Sequence, residues 1–106
     1  MISFTEKQKS EYMKKALRLA RRGAGCVSPN PMVGAVIVKG GRTIAEGYHH
    51  RCGEDHAEID ALKKIDFDAC DCSMFLNLEP CSHHGRTPPC ADALIRSGIS
   101  AVYIGT

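Results

Sequence analysis

Apolar residues recur at helical spacing near the start of this chain. The segment Thr5-Glu6-Lys7-Gln8 has the pattern of a capping box, in which threonine and glutamine bond reciprocally to the backbone of the first helical turn. Gly23 and Gly25 are typical of residues that end a helix. The sequence therefore predicts a first helix between these signals, whose apolar face is formed by Tyr12, Ala16, Leu19 and Ala20.

Three short apolar runs, at positions 33–38, 74–78 and 101–104, predict buried strands. Gly40-Gly41 is typical of a two-residue hairpin turn, and residues 43–48 return after it as the partner strand. These four strands would form one sheet.

Two further helices are predicted between the strands. Asp55 is expected to cap a helix in which Glu58 is the third residue. This helix runs through the apolar residues Ala57, Ile59, Ala61, Leu62 and Ile65. Thr87-Pro88-Pro89 is typical of a helix start, so a third helix is expected from Cys90 to Ser97.

This order of elements predicts an α/β fold with three layers, in which helices cover both faces of a sheet. We expect the hairpin of residues 33–48 to lie antiparallel beside a central strand 74–78, and strand 101–104 to extend the sheet. The last strand would then be an exposed edge, which predicts that the chain aggregates or pairs through that edge.

The overall composition is that of a single globular domain. The chain has 106 residues, of which 43% are hydrophobic and 25% charged. A formal net charge of +2 is too small to indicate nucleic acid or membrane as a partner, and the basic face of the first helix is interpreted as solvated. The first residues lack a secretory pattern and no segment is long enough to span a bilayer, so we expect a cytoplasmic protein.

Six cysteines in a short chain could form disulfides, but in a reducing cytosol they more often bind metal or take part in chemistry. His56, Cys81 and Cys90 supply one imidazole and two thiolates, which are ligands of a tetrahedral zinc site with a fourth position open to water. Glu58 follows the histidine by two residues and is placed to move protons on that water. The H-x-E and P-C elements match the signature of zinc deaminases, except that the second cysteine follows after a longer spacer.

Each of these residues also has a purely structural interpretation. Glu58 could complete a capping arrangement led by Asp55, and His56 alone would most often be an ordinary packed histidine. Asn30, held between two prolines, fits a plain turn as well as it fits a rigid amide that contacts a substrate.

Three further sequence segments indicate a particular family. They are Ser28 to Val36, Gly47-Tyr48-His49, and Glu79 to Cys90 with its long spacer between the cysteines. Together with His56-Ala57-Glu58 they resemble the deaminase half of the bifunctional riboflavin-biosynthesis deaminase/reductases, within the cytidine-deaminase-like zinc hydrolases. The resemblance covers the chain from about residue 9 onwards. Two departures are Cys52, where a small residue without a thiol is commoner, and Asn77 in place of a usual threonine.

The resemblance implies a three-layer sandwich of the cytidine-deaminase type with a mixed sheet, lacking the family's last helix and strand. Residues 1–106 would be a zinc-dependent pyrimidine deaminase domain, and a reductase domain using NADPH would follow only in a full-length, homo-oligomeric protein. The implied substrate is 2,5-diamino-6-(5-phosphoribosylamino)pyrimidin-4(3H)-one, which loses its 2-amino group. By this resemblance zinc is held by His56, Cys81 and Cys90, Glu58 shuttles the proton, and Asn30 and His49 hold the substrate. Further expected substrate contacts are Ala57, His83 and Arg86; the Arg86 side chain suits the substrate phosphate, or it only braces the spacer between the cysteines.

Two alternatives remain open from the sequence. One is a deaminase of the same fold that acts on another base or nucleoside, although a shorter cysteine spacing would be expected there. The other is a non-catalytic zinc module, which would need a fourth protein ligand such as His83, His84 or Cys52.

Overall fold

The computed structural model describes residues 4–28, 31–78 and 90–105 of the chain, with the side chain of Cys90 excepted. Its helices are α1 (Glu6–Ala20), α2 (Ala57–Lys63) and α3 (Cys90–Arg96), and its strands are β1 (Gly34–Lys39), β2 (Arg42–Tyr48), β3 (Ser73–Leu76) and β4 (Ala101–Ile104). A short 3-10 turn, Arg21–Gly23, continues α1 before the predicted glycine end. Each predicted helix and strand is therefore present.

The four strands form one mixed sheet in the order β2-β1-β3-β4. Strand β1 pairs antiparallel with both neighbours, so that Ile37 lies opposite Ala45 on one side and Met74 on the other. Strand β4 runs parallel to β3, with Ser73 opposite Ala101. The predicted placement of the hairpin beside β3, and of β4 beyond it, is confirmed.

Side chains alternate between the two faces of the sheet, and each face has its own helical cover. On one face Ala16 and Leu19 of α1 pack against Val36, Val38 and Phe75. The opposite face is covered by α2 and α3, and its core is built from Ala35, Ile37, Ala57, Ala61, Leu62, Met74, Leu76 and Leu94. The three-layer α/β architecture expected from the sequence is confirmed.

The capping box of the first helix and the glycine turn of the hairpin both form as predicted. The backbone N–H of Gln8 donates to Thr5 Oγ1 at 3.1 Å and the N–H of Thr5 donates to Gln8 Oε1 at 2.9 Å, so the capping box is closed in both directions. Gly40 and Gly41 both take positive φ, 59° and 78°, as a tight hairpin turn between twisted strands requires.

In the described part of the chain, none of the helices combines the length and the apolar character needed to cross a bilayer.

Candidate active site

Two of the predicted zinc ligands come from helices that start at the same edge of the sheet. Strands β2 and β3 are both antiparallel to β1, so they run in the same direction, and β4 runs with them. Helix α2 follows β2 and α3 follows β3, and a helix that links two parallel strands begins where the first strand ends. His56, just before α2, and Cys90, the first residue of α3, therefore lie at the edge formed by the carboxyl ends of these strands. In open α/β sheets this edge is where ligands bind.

The start of α2 differs from the prediction. The N-cap is His56, with extended φ and ψ of −68° and 165°, and Glu58 is the second helical residue instead of the third. The Asp55 carboxylate forms an ion pair with Lys63. The prediction that Asp55 caps the helix is wrong, and the capping-box interpretation of Glu58 is wrong with it, because the partner it requires is engaged elsewhere.

Glu58 lies buried in the first turn of α2, with 3% of its surface exposed. Burial of a carboxylate is costly, so a glutamate without a specific role is expected at a solvated surface position. Its place two residues from His56 is thus suited to chemistry at the sheet edge. Ala57 between them is also fully buried.

His49 is a buried link between β2 and the segment before α2. Its ring Nδ1 lies 2.9 Å from the carbonyl oxygen of Asp55, and because a carbonyl only accepts, Nδ1 must carry the proton. Its ring meets that of His56 edge to face, with 5.2 Å between centroids and an interplanar angle of 89°. Its backbone N–H donates to Val33 at 3.1 Å. His49 therefore holds the chain on either side of the site.

Asn77 is a residue whose importance sequence reasoning missed. Its Oδ1 accepts from the N–H of Gly34 at 2.7 Å and its Nδ2 donates to the carbonyl of Met32 at 3.0 Å. One buried amide thus fixes residues 32–34, directly before and at the start of β1. The signal available in the sequence was a polar residue within an apolar strand run.

Asp60 was also missed, and it joins the end of β2 to α2. Its Oδ2 accepts from the Tyr48 N–H at 3.1 Å and lies 3.2 Å from Nε2 of His50, whose ring stacks on that of Tyr48 with 3.8 Å between centroids. The signal available in the sequence was a second acidic residue in the first turn of the helix, two positions after Glu58.

A cleft of about 340 Å³ lies on the outer side of this region, and its described lining is His50, Gly53, Glu54, Asp55 and Asp60. Three carboxylates among five lining residues do not favour a phosphate ester. None of the predicted zinc ligands contributes to this described lining, so we do not assign the substrate to this cleft.

Four of the predicted site residues, Asn30, Cys81, His83 and Arg86, lie outside the described residues, and only the backbone of Cys90 is described. The structure thus brings His49, His56, Ala57 and Glu58 together and places the start of α3 at the same sheet edge.

The whole of this architecture has a match among known families. Residues 6–106 match the family described as the cytidine and deoxycytidylate deaminase zinc-binding region. The chain belongs to this deaminase family. The zinc-binding character of the family accords with the histidine and cysteines singled out above.

Within the family, the chain is most usefully compared with three relatives. It is 54% identical over 95 residues to the riboflavin biosynthesis protein RibD of Escherichia coli, covering 90% of this chain and 26% of that protein. It is 46% identical over 95 residues to the diaminohydroxyphosphoribosylamino-pyrimidine deaminase of Buchnera aphidicola, covering 90% of this chain and 65% of the relative. It is similar to a Thermotoga maritima diaminohydroxyphosphoribosylaminopyrimidine deaminase/5-amino-6-(5-phosphoribosylamino)uracil reductase structure, with a TM-score of 0.89 and 50% identity over 94% of this chain and 30% of that one.

The resemblance to the deaminase half of the bifunctional riboflavin-biosynthesis proteins is confirmed, and so is the cytidine-deaminase-like fold. The chain spans only about a quarter of the length of its E. coli relative.

Proposed function

We propose that this protein is a zinc-dependent hydrolytic deaminase of riboflavin biosynthesis. Its substrate is 2,5-diamino-6-(5-phosphoribosylamino)pyrimidin-4(3H)-one and its products are 5-amino-6-(5-phosphoribosylamino)uracil and ammonia. The observation that carries this proposal is the 46% identity, over 90% of the chain, to a protein named as the deaminase of this pyrimidine. The buried Glu58 beside His56 supports the same chemistry.

The zinc ligands we propose are His56, Cys81 and Cys90. An imidazole and two thiolates are a donor set found in catalytic zinc sites, where three protein ligands leave one position open. The common sheet edge at which α2 and α3 begin supports two of the three. When bound, zinc supplies the Lewis acidity that makes water a nucleophile near neutral pH.

Glu58 is the acid/base of the reaction. Its carboxylate takes a proton from the attacking water and gives it to the ring nitrogen next to the attacked carbon, then takes the remaining hydroxyl proton and gives it to the departing amino nitrogen. The water oxygen becomes the new carbonyl oxygen on the ring, and the nitrogen leaves as ammonia. Because Glu58 is buried, bulk water has little access to the proton during these transfers.

The substrate contacts we propose are Asn30, His49, Ala57, His83 and Arg86. Arginine binds phosphate with two parallel hydrogen bonds, so Arg86 suits the phosphoribosyl group. The hydrogen bond from Nδ1 of His49 to the Asp55 carbonyl holds the ring in one orientation beside His56, and this supports a substrate contact by the His49 side chain. Asn77 and His49 together fix residues 32–34, which follow Asn30 closely in the sequence.

The remaining expectations concern the protein as a whole. We propose that residues 1–106 act as a deaminase domain on a small molecule, without nucleic acid or membrane as a partner, in the cytoplasm. Where a reductase domain accompanies it, as in the name of the Thermotoga protein, NADPH would be that domain's cofactor and the assembly a homo-oligomer.

An ammonia-release assay on the zinc-loaded chain tests the proposal. The phosphoribosyl pyrimidine should release ammonia at a rate well above cytidine and guanine, which represent other deaminases of this fold. Metal analysis of the same sample should give one zinc per chain, and Cys81→Ser or Cys90→Ser should lose it. Preferential turnover of cytidine or guanine would overturn the assigned substrate, and full zinc occupancy in either cysteine variant would overturn the ligand set.

A further inference from the structure

Cys26 and Cys52 lie side by side although they are far apart in sequence. The backbone N–H of Cys52 donates to the carbonyl oxygen of Cys26 at 3.2 Å. Both cysteines are thiols in this structure and both are exposed to solvent. Each belongs to a compact turn, since the Cys26 N–H donates to Gly23 at 3.0 Å and the Glu54 N–H donates to Arg51 at 3.1 Å.

This separation suits a disulfide. Hydrogen-bonded residue pairs in antiparallel strands have Cα atoms roughly 5.5 Å apart, and we infer a similar separation from the single backbone bond between Cys52 and Cys26. A disulfide needs a Cα separation of about 4.4–6.8 Å. The two backbones thus lie at a distance that a disulfide spans, and exposure lets an oxidant reach both sulfur atoms.

We propose that Cys26 and Cys52 form a reversible disulfide in response to a low-molecular-weight disulfide such as oxidised glutathione. One cysteine thiolate attacks the glutathione disulfide, which breaks its S–S bond, releases one glutathione thiol and leaves a mixed disulfide on the protein. The second thiolate attacks the protein sulfur of that mixed disulfide and releases the second glutathione. Two electrons pass from the cysteines to the oxidant, and a reduced thiol pool reverses both steps.

The disulfide would join the two loops that lead into the candidate site. Cys26 lies three residues before Pro29 in the sequence, and Cys52 lies on the segment between His49 and His56. A bond between them ties these loops together and closes a ring over residues 26–52. Ring closure restricts the unfolded chain, so the oxidised protein should melt at a higher temperature.

The other described cysteines are poorer partners for this reaction. Cys72 is buried, with 1% of its surface exposed. Cys70 is exposed but pairs with Ile99 through an isolated bridge, between the loop after α2 and the segment before β4. Cytosolic disulfides are most often transient and redox-sensing, and solvent-exposed ones are the more easily reduced.

Peptide mapping of the zinc-loaded chain tests this inference. The reduced protein is incubated with increasing ratios of oxidised to reduced glutathione, blocked with N-ethylmaleimide and digested. A peptide pair linked through Cys26 and Cys52 should be the main disulfide at ratios where zinc remains bound, and dithiothreitol should abolish it. The thermal midpoint should rise in the same samples.

Serine variants supply the controls. Cys26→Ser and Cys52→Ser should each abolish the linked peptide and the rise in thermal midpoint, whereas Cys70→Ser should change neither. The inference is overturned if both cysteines accumulate only as glutathione adducts, if Cys70 replaces either of them, or if zinc is lost before the link forms. The peptide mapping does not depend on turnover, so it can refute the disulfide without refuting the proposed deaminase function, and the reverse also holds.

Discussion

His49 donates a hydrogen bond from Nδ1 to the carbonyl oxygen of Asp55, at 2.9 Å, one residue before His56. The same residue donates its backbone N–H to the carbonyl oxygen of Val33, directly before β1. Through its ring and its backbone, His49 therefore connects the segment before the first strand to the segment that presents the proposed zinc ligand. Side chains that orient a ligand in this way commonly tune metal affinity.

His49→Ala is expected to reduce both stability and zinc affinity. Loss of the buried donor leaves the Asp55 carbonyl unsatisfied, which costs about 1–3 kcal/mol, and zinc affinity should fall by roughly 10–100-fold. His49→Asn retains a donor near the Nδ1 position and should recover part of the zinc affinity. Urea unfolding and zinc titration against a competing chelator measure the two effects.

His50→Ala is the matched control for that prediction, because the neighbouring His50 side chain is 44% exposed. This variant should lose little stability in urea unfolding and little zinc affinity. If His50→Ala weakens zinc binding as much as His49→Ala does, the orienting role assigned to His49 is wrong.

Asn77→Ala should destabilise the fold by about 2–3 kcal/mol, since two hydrogen bonds to buried backbone are lost. Asn77→Asp keeps the shape and the acceptor for Gly34 but replaces the donor to Met32 with a carboxylate oxygen. It should therefore be destabilised as well, and more so at neutral pH than at acidic pH, where protonation restores a donor. Urea unfolding of both variants at two pH values checks this, and a pH-independent loss for Asn77→Asp would contradict it.

The contrast between Asp55 and Asn77 shows where sequence reasoning reached its limit. The capping box at Thr5, the Gly40-Gly41 turn and the apolar strand runs depend on neighbours a few residues away, so they could be predicted. Asp55 was mispredicted because Lys63, two helical turns further on, competes for its carboxylate. The partners of Asn77 lie 43 and 45 residues away and become neighbours only when β1 and β3 pair.

Gly47→Ala should disturb the site through the backbone. A Cβ atom at Gly47 would lie 2.5 Å from both the carbonyl oxygen of Ala57 and the backbone nitrogen of Ala61. Helix α2 would have to move away from β2, carrying His56 and Glu58 with it, at a cost of about 1–3 kcal/mol or more. We expect weaker zinc binding and lower turnover.

Gly41→Ala is the control for that displacement. A Cβ there meets nothing within 4 Å, but φ is +78°, so the variant should lose roughly 1–2 kcal/mol from backbone strain alone. Zinc affinity should stay at the wild-type value. Equal losses of zinc affinity in the two variants would mean that global stability, and not the position of α2, controls the site.

Stability should fall as the pH rises above 9. Burial raises the pKa of the Cys72 thiol above its ordinary 9.0, and the hydrogen bond and charge of Asp55 raise the pKa of Lys63 above 10.5. Both groups bind their proton more tightly when folded, so their contributions are complete below the unfolded pKa and are lost as pH passes the folded one. The contribution of Lys63 to this loss of stability should be small, because its ion pair with Asp55 is exposed and screened by solvent.

Cys72→Ala isolates the first of these contributions. Urea midpoints measured from pH 8 to 10.5 should decline less steeply in this variant than in the wild type. Parallel curves for the two proteins would show that Cys72 does not titrate differently in the folded and unfolded states.

Glu58→Gln gives the most direct test of the proposed mechanism. Glutamine keeps the size and polarity of the side chain, so the buried first turn of α2 should retain its packing, and zinc content should stay near one per chain. Turnover should fall by at least roughly 100-fold, the usual contribution of a positioned acid/base. Glu58 does not form a capping box with Asp55, since Glu58 is the second helical residue and Asp55 is paired with Lys63. A purely structural role for Glu58 would predict no such loss of turnover. Asp60→Asn, two residues further along the same helix, should lower stability through its bond to the Tyr48 N–H while keeping most of the rate per zinc-loaded chain. A Glu58→Gln protein that folds, holds zinc and retains a large share of the wild-type rate would exclude Glu58 as the proton carrier.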